Sequence, residues 1–201
     1  MHQTFSPDDY NKYIRTLCPH YDQFNQAIVN LAVTFLPNTI VSLGCGIGNL
    51  EIKLRKALPK TKIIGVDKDQ NSLDYLSTQE PGIELVRSEL RDYSFPPADM
   101  YLAGTSLHHL NGERKDVLRK IFERSRLFVN FEMFLGNGYD QIIQNNLEPE
   151  YPYEQWKEES EKVDFLRSMP EEMAEIQELG GVAKILLMHA PFALYHATTR
   201  T

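Results

Sequence analysis

Between residues 39 and 131, short apolar runs alternate with segments whose apolar residues recur at helical spacing. Such alternation favours a parallel sheet with helices on both faces, because consecutive parallel strands need a crossover connection. We predict, in order, strand 39–43, helix 49–58, strand 62–66, helix 70–76, strand 83–86, strand 99–103, helix 113–125 and strand 127–131.

Both ends of the chain depart from this alternation. Ser6-Pro7-Asp8-Asp9 predicts a helix start, and a second helix should cover about 22–35. After a helix at 171–179, the apolar runs 182–189 and 192–198 are separated only by Ala190-Pro191, which predicts an antiparallel hairpin on one edge of the sheet. We therefore predict one α/β domain over residues 1–201, with 1–36 forming N-terminal capping helices.

Charge and composition exclude several classes of protein. The 201 residues carry a net charge of −7, with no dense basic patch, so we expect neither nucleic acid nor a membrane surface as partner. Two cysteines make a disulfide framework implausible, and the first residues do not resemble a signal peptide. These features favour a cytoplasmic protein.

A glycine-rich segment joins the first predicted strand to the helix that follows it. Gly44, Gly46 and Gly48 allow the chain to turn at positive φ and allow a ligand to lie against bare backbone at a helix N-terminus. The next strand ends in Asp67, a carboxylate placed to bind both hydroxyls of a ribose. Together they predict a site for a nucleoside-containing cofactor at the carboxyl edge of the sheet.

The spacing of the glycines bears on which cofactor this is. The dinucleotide fingerprint G-x-G-x-x-G needs glycine at position 49, where this chain has Asn49. With its G-x-G-x-G loop, Asp67, the segments 88–92, 98–102 and 105–110 and the terminal hairpin, the chain resembles the class I S-adenosylmethionine-dependent methyltransferases. The resemblance runs from about residue 20 to the end. It implies a Rossmann-like seven-stranded mixed sheet of order 3-2-1-4-5-7-6.

The resemblance also implies which residues bind S-adenosyl-L-methionine. The glycine loop and Asp67 match the family's first motif and its ribose-binding acid, and 88–92 matches the loop that frames the adenine. Tyr21 belongs to a Tyr-Asp pair that is frequent in the family, and simple packing is its alternative role. The implied cofactor-binding residues are Gly44, Cys45, Gly46, Gly48, Asp67, Lys68, Glu89, Leu90, Gly104 and Tyr21.

Two positions depart from the family pattern. Ser42 stands where members usually have an acid that helps to hold the amino group of the cofactor, and Glu89 stands where they usually have Asp. A hydroxyl can hydrogen-bond an ammonium group but cannot neutralise it. We therefore expect weaker cofactor binding, or compensation by another acid or a backbone carbonyl.

Candidate catalytic residues follow the fourth and fifth predicted strands. His109 and, second to it, His108 could accept a proton from an O–H or N–H acceptor, although a histidine here also packs or caps the next helix. Glu132 ends the fifth strand facing the acceptor space, where it could bind a cation or accept a proton, or be an ordinary solvated acid. His189 and His196 are more typical of structural residues, and no metal site is evident.

Residues 134–160 are predicted to be an insertion that shapes the substrate site. Aromatic residues in a lid favour a flat or apolar acceptor, although they could equally form core or a dimer contact. Six glutamates against one lysine between 148 and 161 disfavour nucleic acid there, although such a run is most often a solvated helix face. The aromatic residues are Phe134, Tyr139, Tyr151, Tyr153 and Trp156.

The sequence thus predicts methyl transfer to a small, aromatic or apolar metabolite by a monomer or homodimer. A non-catalytic cofactor-binding protein of the same fold, or another use of the same cofactor such as decarboxylation, remains open. An NAD-dependent reductase is disfavoured because little chain remains for a second domain. A peptide acceptor is also compatible with the sequence.

Overall fold

The computed structural model of the chain describes residues 6–147 and 152–199. Seven strands in these ranges form one mixed sheet. They are β1 Thr39–Leu43, β2 Lys62–Asp67, β3 Glu84–Arg87, β4 Met100–Gly104, β5 Leu127–Met133, β6 Gly181–His189 and β7 Phe192–Thr199. Their order is β3-β2-β1-β4-β5-β7-β6, which confirms the predicted fold class.

The pairing directions also follow the prediction. β1 to β5 run parallel to one another, whereas β7 runs antiparallel to both β5 and β6, so the terminal hairpin closes one edge. In register, Leu43 lies beside Val66 and Ala103, and Gly104 lies beside Phe131. The carboxyl ends of β1, β2, β4 and β5 therefore meet at one edge.

Helices cover both faces of this sheet. Several begin with the expected signals: the Ser6 hydroxyl accepts a 3.2 Å hydrogen bond from the Asp9 N–H, and Ser168 and Glu171 form a reciprocal capping box. The helices are α1 Pro7–Leu17, α2 Tyr21–Phe35, α3 Asn49–Ala57, α4 Gln70–Gln79, α5 Arg114–Arg124, α6 Tyr139–Asn146, α7 Tyr153–Val163 and α8 Met169–Glu178.

Two apolar clusters separate the layers. Phe24 of α2, Leu54 of α3 and Leu76 of α4 belong to one cluster, whereas Ile121 of α5 and Ile176 of α8 belong to the other. β5 is buried along its whole length because both of its faces are covered.

Several hydrogen bonds hold α1 against the rest of the chain. Asn49 Nδ2 donates to Asn11 Oδ1 over 2.8 Å, and Trp156 Nε1 donates to the Tyr13 hydroxyl over 3.0 Å. Asn49, which breaks the dinucleotide fingerprint, thereby ties the first helix to the glycine loop.

The segment 134–160 contains α6 and the greater part of α7. The sequence does not predict α6, which buries only Ile143, whereas α7 overlaps the glutamate run 148–161, for which a solvated helix face is the commonest interpretation. Tyr151 lies outside the described residues. Within the described ranges, no helix is long and apolar enough to cross a bilayer.

A buried polar network joins α5, α8 and the sheet. Arg114 forms an ion pair with Glu172, whose carboxylate also accepts a hydrogen bond from the Tyr195 hydroxyl. Tyr195 in turn accepts a 3.0 Å hydrogen bond from Asn130 Nδ2 of β5. Arg114 is 3% exposed and Glu172 is fully buried, so neither charge can be hydrated if its partner is removed.

We predict that Arg114→Met lowers the free energy of unfolding by about 3–5 kcal/mol, because it leaves Glu172 as an unpaired buried charge. The matched control is Lys115→Met, since Lys115 pairs with Glu178 over 2.7 Å with both side chains largely in solvent. The control should lose at most about 1 kcal/mol. Chemical denaturation measures both, and equal losses would contradict the structural role of Arg114.

Candidate functional site

The turn between β1 and α3 presents bare backbone at the carboxyl edge of the sheet. Gly44, Gly46 and Gly48 have φ values of 69°, 52° and 82°, a region that favours glycine. A Cβ on Gly46 would meet nothing within 4 Å, whereas one on Gly48 would lie 2.1 Å from the Leu76 side chain. Gly48 therefore permits close packing, and Gly46 leaves room for a ligand.

Asp67 is fixed beside this turn. Its carboxylate accepts a 2.8 Å hydrogen bond from the Gly46 N–H and a 2.9 Å hydrogen bond from the Asp69 N–H. The side chain is half-buried at the end of β2, where the sequence places a ribose-binding acid.

A small cavity lies against the glycine loop. Its volume is about 40 Å³, and the free space around it, solvent included, is about 430 Å³. Residues of the sheet, of the glycine loop and α3, and of the two N-terminal helices line it. It is lined by Tyr10, Tyr21, Asn25, Ser42, Gly44, Cys45, Gly46, Ile47, Asn49, Leu50, Glu51, Gly104 and Phe131.

The structure thus brings Gly44, Cys45, Gly46, Gly104 and Tyr21 together around one cavity. Gly104 is the last residue of β4, and a Cβ there would meet nothing within 4 Å. The next residue, Thr105, has a φ of 49°, an uncommon conformation for a non-glycine residue.

The remaining predicted cofactor residues lie outside that lining. Lys68 and Glu89 are exposed, and the Lys68 Nζ is 3.9 Å from a Glu89 carboxylate oxygen. Leu90 is buried in the apolar cluster on the α5 face, so its side chain is part of the core. Gly48 forms the N-cap of α3.

Glu51 is the residue that the sequence reasoning missed. It lies in the first turn of α3, is only 2% exposed, and its Oε1 accepts a 2.5 Å hydrogen bond from the equally buried Ser42 hydroxyl. Burial raises the pKa of Glu51 to about 7, and the charge of Asp67 adds to the effect. The sequence does carry a signal for this residue, because Glu51 lies between Leu50 and Leu54 on the inward face of α3.

Tyr10 also escaped prediction as a site residue. It lines the cavity from α1, and burial raises the pKa of its hydroxyl, as it does that of Tyr21. Tyr21 accepts a 3.4 Å hydrogen bond from Asn49 Nδ2, so Asn49 contacts both N-terminal helices.

The prediction that Glu132 ends the fifth strand is wrong. β5 continues to Met133, so Glu132 lies inside the strand, 2% exposed, with its carboxylate 2.6 Å from His108 Nδ1. Burial alone would raise the pKa of Glu132, but His108 and Arg114 outweigh it and the pKa is lowered. Burial alone would lower the pKa of His108, but Glu132 and Asp164 outweigh it and the pKa is raised.

Both shifts favour the charged forms of the His108–Glu132 pair. Both side chains are buried and in contact with each other, so neither is open to solvent in this structure. Of the three catalytic candidates, only His109 reaches the surface, with its side chain 37% exposed.

Asp164, directly after α7, joins the two histidines. One carboxylate oxygen lies 3.1 Å from His109 Nδ1 and 3.6 Å from His108 Nε2. Candidate ligand atoms of these three residues lie within 4.8 Å of one another, a grouping that the sequence gave no sign of. Asp164 also accepts a 2.5 Å hydrogen bond from Ser160, and its side chain is 4% exposed. The cluster orients His109 at the surface.

A second, larger cavity lies beyond the end of β5. Its volume is about 210 Å³, and its walls come from the segment after β5, from α6, from the start of α8 and from the terminal hairpin. Trp156, by contrast, is buried and hydrogen-bonded to Tyr13 of α1, so it is a core residue, and the half-buried Tyr153 stacks on it. The walls are formed by Phe134, Leu135, Gly136, Asn137, Tyr139, Ile142, Met169, Pro170, Met188, Ala190, Pro191 and Ala193.

Comparison with known proteins bears on this geometry. A sequence model of a methyltransferase domain matches residues 40–126. A tRNA (guanine-N(7)-)-methyltransferase of Vanderwaltozyma polyspora is 28% identical over 154 residues, which cover 74% of this chain and 48% of that protein. The chain thus spans about half the length of this curated relative.

Solved structures show the same fold at low sequence identity. The plantazolicin methyltransferase BpumL has a TM-score of 0.70 at 11% identity over 96% of this chain and 88% of that one. A putative O-methyltransferase from Nostoc punctiforme has a TM-score of 0.68 at 13% sequence identity, and the match covers 90% of this chain and 56% of that one. The methyltransferase domain of a bacterial Hen1 has a TM-score of 0.64 at 18% identity, and the match covers 89% of this chain and 99% of that one.

The match covers the glycine loop and four of the parallel strands, and the sheet order is the one that the resemblance implies. Residues 40–126 thus match a methyltransferase domain, and the chain has the Rossmann-like fold of the S-adenosylmethionine-dependent methyltransferases.

Proposed function

We propose that the chain binds S-adenosylmethionine at the glycine loop and transfers its methyl group to a small, apolar or aromatic acceptor. The observation that carries the proposal is the cavity at the carboxyl edge of β1 and β4, where Gly46 and Gly104 leave open space beside Asp67 and a buried acid. Bare backbone, a ribose-binding carboxylate and a buried acid together suit a cationic nucleoside.

The cofactor supplies an activated methyl group, so the protein has to bind, align and exclude water. Asp67 would accept hydrogen bonds from ribose hydroxyls while the Gly46 N–H keeps it in place. Tyr10 of α1 and Tyr21 of α2 line the same cavity, so the two N-terminal helices would cover one side of the bound cofactor.

The larger cavity supports an apolar acceptor. Its 210 Å³ exceeds the ~150 Å³ of an engineered apolar cavity that holds benzene, so it has room for a single ring. Its walls are mostly aliphatic and aromatic, and several come from the predicted insertion 134–160. The net charge of −7 weighs against a polyanionic acceptor, although the curated relative is named as a tRNA methyltransferase.

His109 is our candidate for the group that accepts the proton of the acceptor. It follows β4 at the surface, and Asp164, 3.1 Å from its Nδ1, would stabilise the imidazolium that forms. A non-catalytic cofactor-binding role, and another use of the same cofactor, are separated from methyl transfer by identification of the products.

The first prediction concerns the ligand. S-adenosylmethionine or S-adenosylhomocysteine at 100 times its Kd should stabilise the protein by ~2.7 kcal/mol and raise Tm by roughly 5–10 °C, whereas NAD should not. Differential scanning fluorimetry measures this. A shift with NAD alone, or with none of the three, would refute the proposal.

The second prediction uses two glycines as a matched pair. Gly104→Val adds a side chain to the cofactor cavity and should weaken binding of S-adenosylhomocysteine by roughly 5- to 150-fold, the equivalent of an overpacking cost of 1–3 kcal/mol. Gly136→Val alters the larger cavity, and a Cβ there also meets nothing within 4 Å, so cofactor affinity should stay unchanged. Calorimetric titration of both variants tests this, and equal losses would contradict the assignment of the two cavities.

The third prediction concerns the base. With an acceptor identified by screening, His109→Gln should lower kcat by roughly 10²–10⁴-fold without changing cofactor affinity, provided that the acceptor loses a proton. The measurement is release of S-adenosylhomocysteine. Unchanged turnover with an O–H acceptor would remove His109 from the mechanism.

A further inference from the structure

Glu51 is a buried acid without a basic partner. It is 2% exposed, and none of the lysine, arginine or histidine side chains within the described ranges forms an ion pair with it. Burial of an unpaired carboxylate is unfavourable, so proteins seldom keep one without a use for it. The carboxylate borders the cavity of the glycine loop and is held there by the Ser42 hydroxyl at 2.5 Å.

The groups around Glu51 make the cavity suitable for a cation. Asp67 at the end of β2 carries the nearest other negative charge, and Tyr10 of α1, Tyr21 of α2 and Cys45 of the loop are neutral at physiological pH because burial raises their pKa. No lysine, arginine or histidine is among the described residues that line the cavity, and Arg15 lies over the Tyr21 ring at 5.5 Å. A positively charged ligand group would therefore meet an acidic lining without a basic side chain.

S-adenosylmethionine carries such a group in the ammonium of its amino acid part. The family resemblance implies an acid two residues before Gly44 to hold it, and this chain has Ser42 there. The Glu51 carboxylate contacts the Ser42 hydroxyl. A carboxylate from the first turn of α3 therefore lies next to the position in β1 where the resemblance implies an acid.

We propose that Glu51, oriented by Ser42, binds the ammonium group of the cofactor and is a positioning residue for its amino acid part. The inference rests on the proposed function and names the charged partner within that site. Ser42 keeps the carboxylate aimed into the cavity, and Glu51 provides the charge that a hydroxyl lacks.

The test compares two ligands that differ in the amino acid part. S-adenosylhomocysteine has the ammonium group, whereas 5′-deoxy-5′-methylthioadenosine keeps the adenosine and sulfur but lacks it. Glu51→Gln retains the size of the side chain and should weaken binding of S-adenosylhomocysteine by roughly 10- to 150-fold, the range for a hydrogen bond to a charged group. Affinity for methylthioadenosine should change by less than about threefold.

A reciprocal variant controls for damage to the loop. In Ser42→Asp/Glu51→Ser the hydroxyl and the carboxylate exchange places, so the pair should recover most of the affinity that Glu51→Ser alone loses. Recovery of this kind requires a charge in the pocket and is not expected of a residue that only packs.

Stability without ligand gives an independent readout. Since the pKa of Glu51 is about 7 when folded and lies near its ordinary 4.5 when unfolded, ionisation destabilises the native state as pH rises from about 4.5 to 7. Glu51→Gln should therefore have a higher Tm than the natural protein at about pH 8, and the difference should disappear near pH 4. A purely structural glutamate would give a lower Tm on substitution.

The outcomes separate this inference from the proposed function. If the natural protein binds neither ligand, the proposed function fails and this inference with it. If both ligands bind and Glu51→Gln weakens both equally, or neither, only the assignment of Glu51 is wrong.

Discussion

The turn from β1 into α3 is the constraint on which the site depends. Three glycines at positive φ let the chain reverse within a few residues, so that α3 begins directly above the sheet edge. The turn leaves backbone uncovered at Gly46, supports Asp67 through the Gly46 N–H, and brings Glu51 onto Ser42. A bulkier turn would separate these groups and fill the space between them.

Buried carboxylates in this protein serve two different purposes. Glu172 and Glu132 each face a buried cation, Arg114 and His108, and join helices and loops to the sheet. Glu51 is equally buried but has only the Ser42 hydroxyl and nearby backbone as partners. Because a buried charge that lacks a partner is strongly destabilising, the contrast distinguishes the structural acids from one kept for a ligand.

The sheet could be predicted from the sequence because each parallel strand is a short apolar run bounded by turn residues. β1 lies at the predicted residues, and the hairpin of β6 and β7 was visible from Ala190-Pro191. The helix α6 could not be predicted, since its single buried residue, Ile143, does not establish a helical period, whereas the glutamate run over α7 is typical of a solvated helix face. β5 was taken to end at Phe131 because Glu132 looked like a strand-end acid, and its pairing with His108 is a tertiary contact that no local pattern encodes.

The residues of the site also divide into those that a motif predicts and those that only tertiary contacts reveal. The glycine loop, Asp67 and Tyr21 are predicted by motif. Glu51 is identified by its contact with Ser42, and Asp164 by its contacts with the two histidines. The central claim is that this edge holds the cofactor with its ammonium on Glu51. A crystal structure of the complex with S-adenosylhomocysteine tests it most directly. The account predicts ribose hydroxyls on Asp67 and the ammonium nitrogen within about 3.2 Å of a Glu51 carboxylate oxygen. An amino acid part that points away from Glu51, or a ligand bound elsewhere, would contradict it.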